Sequence, residues 1–293
     1  MPPVVAIPVG PGPQETGRVA DLLAALRHHE PAAGPVVLVD DAPGDRRSFP
    51  GEAVVLPNPR ASRGIGTLGG TCTATLTALR WAHDHHPDAW VLRLDTDALV
   101  VGPVVARVEQ ALREHPGAGV LGSCHRTCNG DERDLSWWGP VVRKHGRRVW
   151  AWRRPPLPRR HVSPADPLVR AVVREALARG YRPGEHCMAA GCAISAPFVR
   201  SLAAAGRLDD PNRWLGTLFG DDVMLGAMAR AAGFELLDLH AVFGLKHVGL
   251  AGSPPELAAR GFGVVHSVKN DPVHDEAAIR AFFAARRGER VAS

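Results

Sequence analysis

The chain has 293 residues, 45% hydrophobic and 22% charged, which suits one large α/β domain or two small ones and excludes a disordered chain. No stretch approaches the roughly 20 consecutive apolar residues of a membrane span, and the opening MPPVVAIPVGPGPQE lacks the basic start and long apolar run of a signal peptide, so a cytoplasmic protein is expected. The formal charge of +5 is local: Leu135 to Ala165 carries eight Arg or Lys residues and no acid, while the other 27 basic residues face 30 acidic ones, which argues against a generally basic nucleic-acid coat.

In chain order, Val4–Val9 reads as a strand closed by Gly10-Pro11-Gly12-Pro13. Val19, Leu22, Leu23 and Leu26 recur on one face of a helix. Val36–Asp40 is a second strand, ending in Asp40-Asp41, and Ala53–Leu56 a third. A glycine-rich loop from Arg63 to Gly70 leads into a helix carrying Cys72, Leu76 and Leu79. Ala89–Leu94 is a fourth strand running into Asp95-Thr96-Asp97; a helix at Val104–Leu112 and a strand at Ala118–Leu121 follow. Nearly all-apolar strands separated by helices predict a parallel sheet covered on both faces. Ligands of such a sheet bind beyond the carboxyl ends of its strands, which is where the acidic pairs fall.

The second half is less regular. Val141–Arg143 and Val149–Trp152 read as a hairpin, and helices are expected at Leu168–Ala178, Pro197–Ala205, Asp222–Ala232 and Asp275–Arg286. No composition break separates two domains, so 1–293 is read as one domain with two lobes, about 1–125 and 126–293.

Five cysteines (Cys72, Cys124, Cys128, Cys187, Cys192) are too few and odd in number for a disulfide framework. Cys124/Cys128 and Cys187/Cys192 lack the spacing of a common zinc knuckle, and reduced, buried thiols are the expectation.

Two carboxylates one residue apart, Asp95 and Asp97, must emerge at the sheet edge, close enough to share a cation. Hard oxygen ligands there suit Mn²⁺ or Mg²⁺, which bridge diphosphate oxygens; a solvated turn with a helix cap would use the same residues. In this context the sequence resembles the nucleotide-sugar glycosyltransferases of the GT-A fold, over roughly residues 4–270. The resemblance rests on the order of its motifs: the first strand and loop, the strand ending in Asp40-Asp41, the glycine-rich segment, Leu92-Arg93-Leu94-Asp95-Thr96-Asp97, Gly220-Asp221-Asp222-Val223, and Val264-Val265-His266-Ser267-Val268-Lys269. It implies an α/β, Rossmann-type, mostly parallel sheet with helices on both faces and a smaller irregular acceptor lobe.

The resemblance further implies that Asp97 holds the metal, with Asp95 at the metal shell or the ribose. Asp40, with Asp41 beside it, would meet the base; Arg63, Gly64, Pro8 and Gly191 would lie along the nucleotide-sugar donor. His266 would complete the metal shell, with His247 as competing ligand, and Lys269 would face the diphosphate. Asp221-Asp222-Val223 is similar to the acid-acid-Val motif of inverting enzymes related to the fringe-like β-1,3-glycosyltransferases, with Asp in place of Glu at its first position. Asp222 is then the expected base, with Asp221 as the other catalytic acid, although one of the two could simply cap its helix. UDP is the default nucleotide of such relatives.

On the acceptor side, Trp137, Trp138, Trp150 and Trp152 gather four of the seven tryptophans, serving either sugar stacking or core packing. The basic segment 143–160 would suit an acidic acceptor or a solvated arm, and the small residues of Met188–Gly191 beside His186 would allow close approach to a sugar. A nucleotidyltransferase is the nearest rival, but the loop after the first strand lacks its usual basic residue. A nucleic-acid-binding module using the basic segment is the alternative from another class.

Overall fold

The computed structural model describes residues 1–42, 47–60, 68–136, 139–140, 142, 166–215, 217, 219–269 and 271–288. Among them, seven strands form one sheet in the order β3-β2-β1-β4-β7-β6-β8. These are β1 (Val4–Val9), β2 (Val36–Asp40), β3 (Ala53–Pro57), β4 (Val91–Leu94), β6 (Ala118–Gly122), β7 (Gly191–Ile194) and β8 (Glu235–Asp238). All pairings are parallel except those of β7, which runs antiparallel between β4 and β6.

Alternation along each strand builds two cores. On β1, Val4 and Ala6 face one apolar cluster while Val5, Ile7 and Val9 face the other. The first cluster lies under α2 (Leu68–His85), α4 (Asp166–Ala178), α5 (Ala196–Ala204) and α6 (Asp221–Ala231); the second lies under α1 (Glu15–His29) and α3 (Val105–Glu114). Burial on both faces is why these strands read as continuous apolar runs. The α/β, mostly parallel architecture expected from the sequence is therefore observed.

A second sheet of three strands decides the geometry of the site. β5 (Leu99–Val100) follows the Asp95-Thr96-Asp97 turn and pairs antiparallel with β10 (Val264–His266), which pairs parallel with β9 (Phe243–Leu245). This register brings residues 266–269 to the acidic turn, and Val268 N–H donates to the Asp97 carbonyl at 3.0 Å. Helix α7 (Pro254–Ala259) carries a capping box from Ser253 and Glu256, and α8 (Glu276–Arg286) is capped by Asp275.

Two expectations need adjustment. Leu68, Gly69 and Gly70 belong to α2 rather than to a loop, because the helix start packs tightly: a Cβ on Gly69 would lie 1.8 Å from the Leu215 carbonyl oxygen, and one on Gly70 would lie 2.0 Å from Arg60 Nη1. Of the expected hairpin, Val142 alone is described, and it is helical and buried. Trp137, Trp138, Trp150, Trp152, Arg63, Gly64 and the segment 143–160 lie outside the described residues. No helix among the described residues is long and apolar enough to cross a membrane.

Candidate active site

The carboxyl end of β4, the chain leading into β7, the second sheet and the start of α6 surround a cleft of about 740 Å³. Asp95, Asp97, Asp221, Asp222, His266 and Lys269 all line it. Within it, one ligand atom from each of Asp95, Asp97 and His266 lies within 4.8 Å of the others.

Asp97 is buried, and three groups converge on its Oδ2. Ser267 Oγ–H donates to it at 2.6 Å, Lys269 Nζ lies 3.1 Å away and His266 Nε2 3.3 Å away. Burial alone would push this carboxyl up; His266, Lys269 and Ser267 outweigh it and hold Asp97 well below the usual carboxylate range. Burial likewise works to lower His266, and Asp97 more than reverses it, so the imidazole sits above its ordinary value. His266 Nδ1 lies 2.9 Å from the Lys246 carbonyl, which fixes the ring and turns Nε2 toward the acids. Two carboxylates and an imidazole oriented by a backbone carbonyl form a donor set that fits Mn²⁺ or Mg²⁺, with the metal competing against the proton on His266. His247 lines the same cleft but stands outside this cluster.

The turn that presents the acids is braced from both sides. Thr96 Oγ1–H donates to Glu15 at the start of α1, and Arg280 Nη2 on α8 donates to the Thr96 carbonyl at 3.2 Å. Arg280 is itself held by Asp21 at 2.7 Å and by Glu276 at 2.9 Å.

A buried cation ties the acidic turn to α6. Arg93, 1% exposed in the middle of β4, donates from Nη1 to Asp95 Oδ1 at 2.6 Å, and its Nη2 lies 2.8 Å from Asp221 Oδ2. Nη1 also donates to the Ala189 carbonyl. Asp221 Oδ2 further accepts from Thr75 Oγ1 at 2.6 Å. Asp221 is thus committed to Arg93 and Thr75. Asp222 is less buried: its Oδ1 accepts from Val223 N–H at 2.7 Å, and its Oδ2 lies 3.5 Å from His186 Nε2. The N-cap of α6 is Gly220, with no side-chain cap.

Arg133 sets His186 in place. Its Nη1 donates to the carbonyls of Ser123, Cys124 and His186 at 2.8, 3.0 and 2.9 Å, and its Nη2 lies 2.9 Å from His186 Nε2. His186 Nδ1 lies 2.7 Å from the Gly184 carbonyl, and burial pushes the imidazole below its ordinary value.

Other sequence candidates sit elsewhere. Asp40 is buried against Arg47, which also donates to the Gly12 and Gly10 carbonyls at 2.9 and 2.6 Å and so closes the loop after β1. Burial would raise Asp40, but Arg47 holds it below its ordinary value. Asp41 pairs with buried Arg60. Neither acid lines the main cleft, nor do Pro8, which pairs with Val39, or Gly191, whose Cβ would meet Phe243 and Val264 at 3.2 Å. Ala189 and Ala190 do line it. All five cysteines are free and buried, and no zinc-like cluster occurs among the described residues.

Sequence reasoning passed over Arg93, Arg133, Ser267 and Thr75. Arg93 did leave a signal: a charged residue inside Val91–Leu94 must find buried partners, because an isolated charge there is prohibitively costly. Arg133, Ser267 and Thr75 leave none, since their partners lie far away in sequence.

No protein-family model matches the chain, and no curated protein matches it. Among solved structures, the chain is similar to the bifunctional glycosyltransferase WbbM: 98% of this chain and 49% of that one align, at 10% identity and a TM-score of 0.50. The chain therefore spans about half the length of that protein. The galactosyltransferase LgtC, solved with donor and acceptor sugar analogues, aligns over 99% of this chain and 97% of its own at 11% identity and a TM-score of 0.49. The core-mannan synthase CmsA/Ktr4 of Aspergillus fumigatus in its Mn/GDP form aligns over 82% and 73% at 10% identity and a TM-score of 0.43. At such identities the likeness to WbbM establishes the fold, that of a GT-A-type glycosyltransferase, which is the fold the motif order implies.

Proposed function

We propose that the chain is a metal-dependent glycosyltransferase that moves a sugar from a nucleoside diphosphate sugar, UDP by default, to an acceptor hydroxyl with inversion. The observation that carries this reading is the convergence of Asp95, Asp97 and His266 in a cleft that also holds Asp222 and Lys269.

Asp95, Asp97 and His266 Nε2 would hold Mn²⁺ or Mg²⁺, which when bound neutralises charge on the departing diphosphate. Lys269, beside Asp97, would add a positive charge on the same oxygens. Arg93 holds Asp95 and Asp221 in place and offsets their repulsion. Asp222, the acid not committed to Arg93, would take the proton of the attacking hydroxyl. His186, kept from charging by burial, would leave that carboxylate free to accept it. Attack opposite the leaving diphosphate inverts the anomeric carbon. Asp40 and Asp41 enter as proposed nucleotide contacts that would first have to exchange Arg47 and Arg60 for the ligand.

The test is calorimetric titration with UDP, GDP and dTDP, each with and without Mn²⁺, followed by donor turnover and NMR of the product anomer. One nucleotide should bind at least about tenfold tighter with metal, and Asp222→Asn should abolish transfer while keeping that binding. Equal nucleotide binding in EDTA, or near-normal turnover by Asp222→Asn, would overturn the reading; retention of configuration would remove Asp222 from the role of base.

A further inference from the structure

Arg133 and His186 line the main cleft beside Asp222, and their hydrogen bonds leave His186 a single tautomer. His186 Nδ1 lies 2.7 Å from the Gly184 carbonyl, which can only accept, so Nδ1 carries a hydrogen. Nε2 lies 2.9 Å from Arg133 Nη2, and a guanidinium can only donate, so Nε2 is bare. Both partners demand the same species, a neutral imidazole with its hydrogen on Nδ1. The pair is firmly held: Arg133 Nη1 is anchored on the carbonyls of Ser123, Cys124 and His186, and His186 is buried. Among the described residues, burial acts most strongly against charging of His186. Asp222, from α6, favours the imidazolium, while Arg133, from the chain after β6, and His247, from the chain after β9, oppose it, and the neutral form prevails.

The bare nitrogen faces Asp222, with Nε2 3.5 Å from Asp222 Oδ2. Asp222 Oδ1 already accepts from Val223 N–H at 2.7 Å, so Oδ2 is the oxygen left for an incoming proton. While Asp222 is ionised, lone pairs face each other across that gap and no hydrogen bond joins them. Once Oδ2 carries a hydrogen, Nε2 can accept it. A contact that strengthens as the proton arrives stabilises the transition state more than the ground state, which is the condition for it to raise kcat.

We propose that Arg133 and His186 are positioning residues for the base: Arg133 keeps His186 neutral with Nε2 bare, and Nε2 accepts a hydrogen bond from the proton that Asp222 Oδ2 takes from the attacking hydroxyl. The proposal rests on the reading of Asp222 as the base. In that step the hydroxyl gives its proton to Asp222 Oδ2, and its oxygen uses the freed electron pair to bond the anomeric carbon. The bond from that carbon to the diphosphate oxygen breaks, and its electron pair leaves with the diphosphate. His186 gains no proton; its Nε2 lone pair is shared between Oδ2–H and Arg133 Nη2.

The test has two arms. The first is long-range ¹H–¹⁵N NMR of the full chain with labelled histidine, in which His186 is assigned by its absence from the His186→Gln spectrum. The wild type should show Nδ1 protonated and Nε2 bare at pH 7 and still neutral at pH 6, whereas Arg133→Met should begin to charge His186 by pH 6. The second is turnover of UDP-, GDP- and dTDP-glucose with Mn²⁺. His186→Leu should lower kcat by about fivefold or more with KM unchanged, and His186→Gln, whose amide oxygen reaches the place of Nε2, should exceed it by at least about threefold. In Arg133→Met an imidazolium would pair with Asp222 and cover Oδ2 on acidification, so the ratio of turnover at pH 6 to that at pH 8 should fall about fivefold below wild type; a purely structural role would lower both equally. A hydrogen on Nε2 at pH 7, equal kcat in His186→Leu and His186→Gln, or an unchanged pH ratio in Arg133→Met would overturn the proposal. The arms separate the failures: His186 as expected with no wild-type turnover of any of these donors defeats the glycosyltransferase reading, whereas turnover with Nε2 protonated defeats this proposal alone.

Discussion

Replacing Arg93 with Met removes the cation that bridges Asp95 and Asp221 and leaves two carboxylates to repel each other beside a closed core. Met fills most of the volume of the arginine stem, so the loss is electrostatic rather than a cavity. Breaking a buried ion pair by deleting one partner costs about 3–5 kcal/mol. At roughly 2 °C per kcal/mol for a chain of this size, the melting temperature should fall by about 6–10 °C in EDTA at pH 7.5. The sign of the pH dependence follows from the stranded acids. Burial and Asp97 already keep Asp95 above its ordinary value against the pull of Arg93, and without Arg93 it rises further. A carboxyl raised in the folded state takes up a proton on folding, so its penalty grows as pH rises from the unfolded value toward the folded one, and shrinks on acidification. Such an acid changes stability by about 1.4 kcal/mol per pH unit across that window. The gap between wild type and Arg93→Met should therefore narrow by at least about 1 kcal/mol between pH 7.5 and pH 5.0. Urea unfolding at the two pH values measures it; a gap under about 1 kcal/mol at pH 7.5, or one unchanged at pH 5.0, would refute the account of Arg93 as the counter-charge of this site.

Asp97→Asn and His266→Ala should each weaken Mn²⁺ binding by more than about 100-fold in calorimetry, since each removes a direct donor, while His247→Ala should leave it within about threefold. Arg280→Ala removes the brace on the Thr96 carbonyl from 3.2 Å; Mn²⁺ affinity should fall about tenfold with the fold retained, and unchanged affinity would show that the turn is rigid by itself. Gly226→Ala would place a Cβ 2.4 Å from the Glu185 carbonyl oxygen, so α6 must shift, at a cost of about 1–3 kcal/mol in urea unfolding.

The order of strands and helices was legible because periodicity is local: β1, β2 and β4 show buried apolar runs, and α1 and α3 show one apolar face each. The acidic pair after β4 was legible for the same reason, since a buried strand ending in two carboxylates must deliver them to the sheet edge. The antiparallel insertion of β7 between β4 and β6 was not, because Gly191–Ile194 reads as an apolar strand whichever way it runs. The short strands β5 and β9 were missed as well; two or three residues carry too little periodicity to stand out.

What the sequence determined by itself, then, is the layered α/β architecture and the carboxylates at the end of β4. The tertiary structure alone decided their company: that Arg93 joins Asp95 to Asp221, that Ser267 and Lys269 crowd Asp97, that His266 rather than His247 stands within the acidic cluster, and that Asp40 and Asp41 meet Arg47 and Arg60. Hydrophobic periodicity is set by neighbours a few residues away and is written along the chain. The choice of partner for a buried charge is set by which distant side chain the folded sheet brings within about 3 Å, the range over which hydrogen bonds and desolvated charges act.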